Sequence, residues 1–376
     1  MLGFPQELPF YKKYVIILLV CFRRLNMCGK IKKISIIFLS LFLLCGCNEK
    51  STAKTVKENK NEPVVRDVFA MDTYMSLKAY GKNAEQAVNE AENRIYELEN
   101  ELSATLEESD IWKLDNSAEK TAEVCDDTVA IVKKALEIGD KTDGALDITV
   151  YPILKEWGFT TGEYKIPEKS RIFELLKNVD YRNISIKENT IALHEDVQID
   201  LGALAKGYTG DEIMKIMESH GITSAIVSLG GNVQSLGSKT DGSAWRVAVR
   251  DPFSSDSDMC IVDIIDKAVI TSGNYERFFY GDDGKKYWHI IDPNYGYPAD
   301  NGLVSVTVIG DNGLECDALS TAFFVLGFDK TIDYLRSNPQ YDVIMVTDDK
   351  HIYYTKGVEE CFQNTSEMPA EVITLD

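Results

Sequence analysis

Three oxygen-bearing side chains lie close together near the C-terminal end of the sequence. Asp317, Ser320 and Thr321 fall within five residues at the start of a predicted helix. Residues three and four positions apart share a helical face, so these side chains would project together. A carboxylate with hydroxyl oxygens suits Mg²⁺ or Ca²⁺ and not Zn²⁺. Taken alone, the pattern favours a structural arrangement, in which Asp317 caps the helix and Thr321 bonds to its own backbone.

A second group places a carboxylate and a lysine in a glycine-containing segment. Residues 197–211 read Val-Gln-Ile-Asp-Leu-Gly-Ala-Leu-Ala-Lys-Gly-Tyr-Thr-Gly-Asp, in which a strand end brings Asp200 into a turn that opens a helix. Backbone N–H groups at such a turn can hold an anion, and Lys206 adds positive charge. The alternative is that Asp200 is the helix N-cap and Lys206 lies on a solvated face.

A histidine and an aspartate form a third group before a turn. His289 precedes Asp292 by three residues, and Pro293 and Gly296 then force the chain to turn. A histidine beside a carboxylate can transfer protons, although a lone histidine is often only structural.

The Gly-Gly-Asn sequence at 230–232 follows a buried strand and would let the backbone approach a ligand. An ordinary turn at the end of a strand explains it equally well.

The balance of charge excludes one class of partner. The chain of 376 residues has 40 basic and 60 acidic side chains, and residues 47–376 alone carry a net charge of -26. Phosphate backbones require clustered lysine and arginine, so no nucleic acid is expected as a partner.

Four cysteines, Cys125, Cys260, Cys316 and Cys361, show no CxxC or metal-binding spacing. They are predicted to be mostly core thiols, with a disulfide among them left open.

The N-terminal residues are typical of an export signal. Residues 30–47 contain a basic segment, an apolar run of about a dozen residues and the sequence Leu44-Cys45-Gly46-Cys47. This run is short for a spanning helix but has the length of a signal peptide core. The ending resembles a bacterial lipoprotein box, which predicts lipidation at Cys47. We therefore expect a leader at 1–46, with the true start at Met27, and a flexible tether at 47–63.

Hydrophobic spacing predicts a mixed α+β fold for the rest of the chain. Residues 64–80 are predicted to form a strand pair. Helices are expected at 83–103, at 126–139 with Asp126 or Asp127 as N-cap, and at 203–220, 316–326 and 330–337. Strands are expected at 223–229, 245–250, 260–265, 268–272, 303–309, 341–347 and 351–355. The domain is assigned to 64–360, and residues 361–376 to a C-terminal tail.

An ordered set of motifs across about residues 65–360 resembles the FAD:protein FMN transferase family, the ApbE-like flavin transferases. The motifs are Ala70-Met-Asp-Thr-Tyr74, Thr142-Asp-Gly-Ala-Leu-Asp-Ile-Thr149, Trp157-Gly-Phe159, Asp200-Leu-Gly-Ala-Leu-Ala-Lys-Gly207, Ser228-Leu-Gly-Gly-Asn232, Thr271-Ser-Gly-Asn-Tyr275, His289-Ile-Ile-Asp-Pro293 and Asp317-Ala-Leu-Ser-Thr321. The resemblance implies an ApbE-like fold with mixed or antiparallel sheets packed by helices. It also implies that FAD is cleaved, that FMN is attached through a phosphoester to a serine or threonine of a target flavoprotein, and that AMP leaves.

The resemblance also implies a residue set for this reaction. The flavin contacts would be Met71, Ala145, Leu146, Asp147, Asp200, Lys206, His289 and Ile291. Mg²⁺ would be held by the Ala203 carbonyl, Asp317 and Thr321, with Ser320 contributing beside them. His289 would accept the proton of the attacking hydroxyl and would be oriented by Asp292. Mg²⁺ and Lys206 would neutralise the pyrophosphate.

Two departures from the family pattern concern flavin contacts. Met71-Asp72-Thr73 stands where many members have Met-Gly-Thr, and Leu106 stands where the family often has an aromatic residue. Tyr74, Tyr208 and Tyr275 are then the candidates for stacking on the flavin.

Partners and competing functions follow from the same resemblance. Acceptors in this family are flavoprotein subunits with a motif of Asp followed by Ser/Thr-Gly-Ala-Thr/Ser. Export with a lipid anchor would place this chain on the extracytoplasmic or periplasmic face of the membrane. Two other functions stay open. One is a Mg²⁺-dependent FAD pyrophosphatase that releases FMN and AMP, and the other is a flavin-binding lipoprotein without catalysis.

Overall fold

The computed structural model describes residues 62–375. The predicted leader, the lipidation site at Cys47 and nearly all of the tether lie outside these residues. Within them, no helix is both long and apolar enough to cross a membrane. The four cysteines of the same part of the chain carry free thiols.

A nine-stranded sheet organises the structure. Its strands, in their order across the sheet, are β1 (Val64–Ala70), β2 (Thr73–Tyr80), β6 (Ser224–Leu229), β7 (Asn232–Leu236), β10 (Ala268–Gly273), β15 (Leu303–Gly310), β16 (Asp342–Thr347), β17 (Ile352–Thr355) and β19 (Ala370–Ile373). Neighbouring strands are antiparallel except β17 and β19, which run parallel. The sheet therefore joins the first and last strands of the described chain.

Four smaller sheets use the remaining strands. One contains β3 (Thr121–Glu123), β4 (Ile184–Lys187) and β5 (Thr190–Leu193), and another contains β8 (Trp245–Arg250), β9 (Asp258–Ile264) and β18 (Phe362–Asn364). Two hairpins complete the set, β11 (Phe278–Tyr280) with β12 (Lys286–Trp288) and β13 (Ile291–Asp292) with β14 (Tyr297–Pro298).

Eight α-helices occur in the described residues. They are α1 (Ala84–Leu102), α2 (Asp110–Asn116), α3 (Asp126–Lys141), α4 (Tyr151–Trp157), α5 (Lys169–Leu176), α6 (Ala205–Ser219), α7 (Gly313–Leu326) and α8 (Phe328–Ser337). Helix α7 is buried on almost every face, which fits a helix enclosed between the sheet and its neighbours. Its sequence is accordingly mostly apolar, with Asp317 and Ser320 as buried polar exceptions.

Alternating side chains give the large sheet two buried faces. On β10, Ile270 belongs to the core shared with α3 and α7. The preceding residue, Val269, belongs to the core beneath the β8-β9-β18 sheet. At the β1-β2 end, the same helix-facing side packs against α1 and α6. The large sheet is thus the middle layer, with helices on one face and a small sheet on the other.

The predicted mixed fold class is confirmed. Each predicted helix and each predicted strand, except the strand expected to end at Asp200, corresponds to an observed element. The elements that were not predicted are short: α2, α4, α5, β3 to β5, β7, β11 to β14, β18 and β19. The prediction that Asp126 or Asp127 is the N-cap of α3 was wrong, because Cys125 occupies that position and its sulfur accepts the Thr128 N–H. The segment 361–376, assigned to a tail, contains β18 and β19, which extend two of the sheets.

Asp115 on α2 is a charged-type side chain inside this fold, only 3% exposed. Its Oδ1 accepts the Ile199 N–H at 2.9 Å, while Oδ2 has no hydrogen-bond partner. Burial raises the pKa of Asp115 to about 7, against the lowering effects of the Ile199 N–H and the nearby Lys120 and Lys155. The carboxyl group therefore holds the segment leading into Asp200 as a neutral acid at mildly acidic pH.

We expect Asp115→Asn to change how stability depends on pH. Since the folded-state pKa lies above the unfolded value of 3.8, the protein loses stability as pH rises from about 4 through about 7. The amide copies the neutral acid, so the stability advantage of the variant over the parent should grow by about 2 to 3 kcal/mol between pH 5 and pH 8. Urea unfolding at both pH values measures this. Exposed Asp300→Asn is the control, and an unchanged pH dependence in Asp115→Asn would contradict the assignment.

Candidate functional site

A cavity of about 580 Å³ lies where the ends of β10, α6 and α7 meet the hairpins. It collects residues from the whole length of the domain. It is lined by every predicted flavin contact, Met71, Ala145, Leu146, Asp147, Asp200, Lys206, His289 and Ile291, and by Ala203, Asp317 and Thr321 of the predicted metal set. Asp292 and Ser320 lie outside its lining. The ordered motifs of the sequence thus meet around one space.

The close crossing of α6 and α7 positions one wall of the cavity. A Cβ on Gly207 would clash with the Gly313 carbonyl and lie only 2.6 Å from the Asp317 Cβ. Buried Gln234 on β7 donates to the Gly207 carbonyl at 2.9 Å. The Asp211 carboxylate accepts the Gly313 N–H at 2.7 Å and the Leu314 N–H at 2.9 Å. Helix α7 is thereby capped by a side chain of α6, and the two helices are fixed to each other.

Asp317 is buried within this crossing, with its carboxylate at the cavity wall. Its Oδ2 accepts the Gly207 N–H at 2.8 Å and lies 3.9 Å from Lys206 Nζ. Burial raises the pKa of Asp317, while Lys206, the Gly207 N–H and the Asn232 side chain act to lower it. Asp317 does not cap the helix, because Asn312 is the N-cap and accepts the Glu315 N–H. The helix therefore presents Asp317 from its second turn.

The hydroxyl groups beside Asp317 form a chain that includes a strand residue. Ser272 Oγ on β10 lies 2.8 Å from Ser320 Oγ and 3.2 Å from Thr321 Oγ1. Ser320 is fully buried and donates to the Asp317 carbonyl at 2.9 Å. Because the Ser320 hydroxyl already donates to the helix backbone, its position does not support the prediction that Ser320 joins the metal ligands. Ser272, which the sequence analysis gave no role, lines the cavity instead.

Hard oxygen donors on the cavity wall fit a Mg²⁺ site. The Asp317 carboxylate and the Thr321 hydroxyl come from adjacent turns of α7, and Ala203 contributes from the turn before α6. A buried carboxylate whose charge is only partly compensated is the kind of group that a divalent cation stabilises. With so few protein ligands, Mg²⁺ would keep positions for water and phosphate oxygens.

The turn that carries Asp200 closes through its own side chain. Asp200 Oδ1 accepts the Gly202 N–H at 2.9 Å, and its backbone N–H donates to the Ile148 carbonyl at 3.0 Å. Asp200 is not the N-cap of α6, because Leu204 occupies that position without a side-chain bond. No strand precedes it either, and residues 197–200 are an irregular segment. Lys206 Nζ lies 3.3 Å from the Gly202 carbonyl, so both residues border the same turn.

Met71 and Asp72 form the two-residue turn between β1 and β2. Both have positive φ, 50° and 57°, which is the left-handed geometry of a tight hairpin. The Met71 N–H donates to Glu99 Oε1 at 2.6 Å, which ties this turn to the end of α1. Aspartate tolerates left-handed backbone better than most residues. Asp72 therefore preserves the turn at the position where many family members have glycine.

The segment with Ala145, Leu146 and Asp147 forms the opposite wall. Asp147 caps a short 3₁₀ helix, Ile148–Val150, because its Oδ1 accepts both the N–H and the hydroxyl of Thr149. Its Oδ2 accepts the Tyr181 N–H at 3.0 Å. Asp147 therefore borders the cavity with a carboxylate already occupied by three donors.

His289 lies at the base of the β11-β12 hairpin and faces Arg277 across it. The His289 N–H donates to the Arg277 carbonyl at 3.1 Å, and His289 Nδ1 lies 3.3 Å from the same oxygen. Asp292 does not orient the ring, contrary to the sequence prediction. Its Oδ1 accepts the Asn294 backbone and side-chain N–H groups, which closes the β13-β14 turn. The backbone carbonyl of Arg277 takes the orienting position that was assigned to Asp292.

His289 is electrostatically suited to remain a neutral base. Burial lowers its pKa to about 4, and the positive charges of Arg277 and Lys206 add to this, against the Arg277 carbonyl. With Nδ1 beside that carbonyl, the tautomer protonated at Nδ1 leaves Nε2 as the free acceptor.

The three tyrosines proposed for flavin stacking are not in the cavity lining. Tyr74 is 60% exposed on β2, the Tyr208 hydroxyl bonds to Asp127, and the Tyr275 ring packs against Gly273. Tyr151 and Phe159 line the cavity together with Leu106. Both aromatic residues come shortly after the Asp147 motif in the sequence, and this closeness could have identified them as candidates for flavin contact.

Comparison with known proteins gives one consistent result. The model of the ApbE family matches residues 71–345. A FAD:protein FMN transferase of Treponema pallidum is 30% identical over 338 residues, which cover 84% of this chain and 92% of that protein. A FAD:protein FMN transferase of Escherichia coli strain K12 is 31% identical over 316 residues, covering 81% and 89%.

Solved structures agree with this. The ApbE protein of Thermotoga maritima superposes with a TM-score of 0.75 at 30% identity, over 80% of this chain and 99% of that one. The flavin transferase ApbE from Vibrio cholerae gives a TM-score of 0.71 at 27% identity, with the same coverage. The predicted ApbE-like fold is confirmed. Since the family model and relatives at 30% identity both span most of the domain, the chain belongs to the ApbE family.

Proposed function

We propose that this protein is a Mg²⁺-dependent transferase that cleaves FAD, attaches FMN through a phosphoester to a serine or threonine of a target flavoprotein, and releases AMP. The observation that carries this proposal is the meeting, in one cavity, of the Asp317 and Thr321 oxygens, the Lys206 ammonium group and the imidazole of His289. The names of the relatives support the same reaction, since they are FAD:protein FMN transferases.

The side chains of the cavity divide the chemical work. His289 Nε2 would accept the proton of the acceptor hydroxyl as that oxygen attacks phosphorus. Lys206 would place its charge beside the pyrophosphate, and Tyr151 and Phe159 offer apolar contact for the flavin ring. The Ala203 carbonyl, Asp317 and Thr321 would hold Mg²⁺, which when bound supplies neutralisation of phosphate charge.

The acceptor would be a flavoprotein subunit with a Ser/Thr-Gly-Ala-Thr/Ser segment. Water in place of the acceptor hydroxyl would turn the same site into a FAD pyrophosphatase that releases FMN and AMP. The two reactions share every residue named above and differ only in the nucleophile, so an assay with and without acceptor separates them.

His289→Ala should retain FAD binding but lose transfer by about 100-fold or more, the usual contribution of a general base. The assay mixes residues 62–376 with FAD, Mg²⁺ and an acceptor domain and measures the FMN mass shift and free FMN. Because the pKa of His289 is about 4, its protonation should limit the parent enzyme only below about pH 5. Exposed His194→Ala is the matched control. Normal transfer by His289→Ala would refute the assigned base, and bound FAD without transfer or FMN release in the parent would favour a mere binder.

Asp317→Asn should abolish the effect of Mg²⁺ on FAD affinity. The amide oxygen can still accept the Gly207 N–H, so the helix crossing is kept while the negative charge is lost. We expect EDTA to weaken FAD binding by at least tenfold in the parent, since an acidic protein must hold a charged pyrophosphate, and to leave the variant unchanged. Flavin fluorescence titration measures both, with Asp300→Asn as control. Equal affinity of the parent in Mg²⁺ and EDTA would contradict this site.

We also propose that the protein is exported and anchored to the membrane by lipid at Cys47. The support is the sequence alone, a basic segment and an apolar run that end in Leu44-Cys45-Gly46-Cys47. Cells that express the full chain and are fed a clickable fatty acid should label the protein, and Cys47→Ser should lose the label. Cys45→Ser is the matched control, because a small residue suffices at that position. Persistent labelling of Cys47→Ser would refute the anchor.

A further inference from the structure

Arg277 differs from the other arginines in the described residues. Eight arginines lie between residues 62 and 375, and seven of them pair with a carboxylate within 4.0 Å. Those seven are Arg66, Arg94, Arg171, Arg182, Arg246, Arg250 and Arg336. The guanidinium group of Arg277 makes no ion pair or hydrogen bond with any residue in this part of the chain, although it lines the cavity.

The absence of a partner is notable because carboxylates are abundant. Residues 47–376 contain 59 acidic and 33 basic side chains. Even the adjacent Glu276 is engaged elsewhere, with Oε1 3.6 Å from Arg250 Nη1. An arginine that stays unpaired in such a protein has five donors available for an anionic ligand.

The backbone of Arg277 is held next to His289. Two contacts join the His289 backbone and ring to the Arg277 carbonyl, so the two residues oppose each other at the base of one hairpin. The charge of Arg277 also acts on both His289 and Asp200, which places the guanidinium group among the cavity side chains. Lys206 and Asp317 form a separate pair on the helix wall.

We propose that Arg277 binds the phosphate that stays on the flavin, through the non-bridging oxygens of the phosphorus that is attacked. This inference rests on the proposed function. The base would lie beside the attacking hydroxyl, and the hydroxyl beside that phosphorus, so the side chain of the residue whose backbone holds the base is placed to reach the same phosphate. A guanidinium group matches two phosphate oxygens at once.

The step balances without any further reactant. The acceptor oxygen forms a bond to the FMN phosphorus, the bond from that phosphorus to the bridging oxygen breaks, and AMP leaves with that oxygen. The hydroxyl proton passes to His289 Nε2 and then to solvent. Arg277 donates hydrogen bonds throughout and neither gains nor loses a proton.

The test compares ligands with and without the phosphate. Arg277→Ala should weaken FMN binding by at least tenfold, leave riboflavin and AMP binding unchanged and lower transfer by about 100-fold. Arg277→Lys should restore part of the FMN affinity, because it keeps the charge and loses the paired donors. Arg246→Ala, an arginine on β8 outside the cavity lining, is the control, and fluorescence titration and calorimetry supply the affinities.

Three other results would overturn the proposal. An equal loss of FMN and riboflavin affinity would mean that Arg277 supports the flavin ring or the fold, and a loss confined to AMP would place it at the adenylate phosphate. Unchanged FMN affinity would show that it does not touch this phosphate. If Arg277→Ala loses affinity for FMN but not for riboflavin, while the parent enzyme binds flavin and never transfers FMN, the role of Arg277 is upheld and the proposed function is refuted.

Discussion

The close crossing of α6 and α7 is the constraint on which the site depends. Gly207 and Gly313 remove the side chains that would hold the helices apart, and the Asp211 carboxylate caps α7 from the neighbouring helix. This crossing puts Asp317 of α7 beside the Gly207 N–H and Lys206 of α6. A methyl group at Gly207 would push α7 outward, and the carboxylate would lose its partners at the same time. The same helix crossing therefore determines both the packing of this wall and the surroundings of the Asp317 carboxylate.

A second constraint comes from the hairpin that carries His289. Two short strands, β11 and β12, bring Arg277 opposite His289 although they are twelve residues apart. The carbonyl that fixes the imidazole and the guanidinium group that faces the cavity belong to the same residue. The hairpin thus places the imidazole and the guanidinium group together as one unit, while α6 and α7 place Lys206 and the candidate metal-ligand oxygens as another.

Local spacing was sufficient for the parts of the site that lie on one helix. Asp317 and Thr321 were predicted from an i, i+4 relation, and helical geometry makes that relation reliable. Asp292 shows the opposite case, since three residues of separation suggested a contact with His289. The chain leaves strand geometry at Pro293, and the Asp292 carboxylate turns back to Asn294. Ser272 and Arg277 could not be placed from spacing, because their neighbours are set by sheet order and hairpin register.

The carboxylates around the cavity explain how an acidic protein can offer a site for a pyrophosphate. Most of them already accept backbone N–H groups, so their charge is compensated within the fold. Glu99 accepts from Met71, Asp147 from Thr149 and Tyr181, Asp200 from Gly202, and Asp317 from Gly207. Lys206 and Arg277 are not neutralised in the same way, since Lys206 has one carboxylate at 3.9 Å and Arg277 has no carboxylate partner among residues 62–375. The cavity thus combines two cations that are available to a phosphate with carboxylates, most of which are already hydrogen-bonded within the fold.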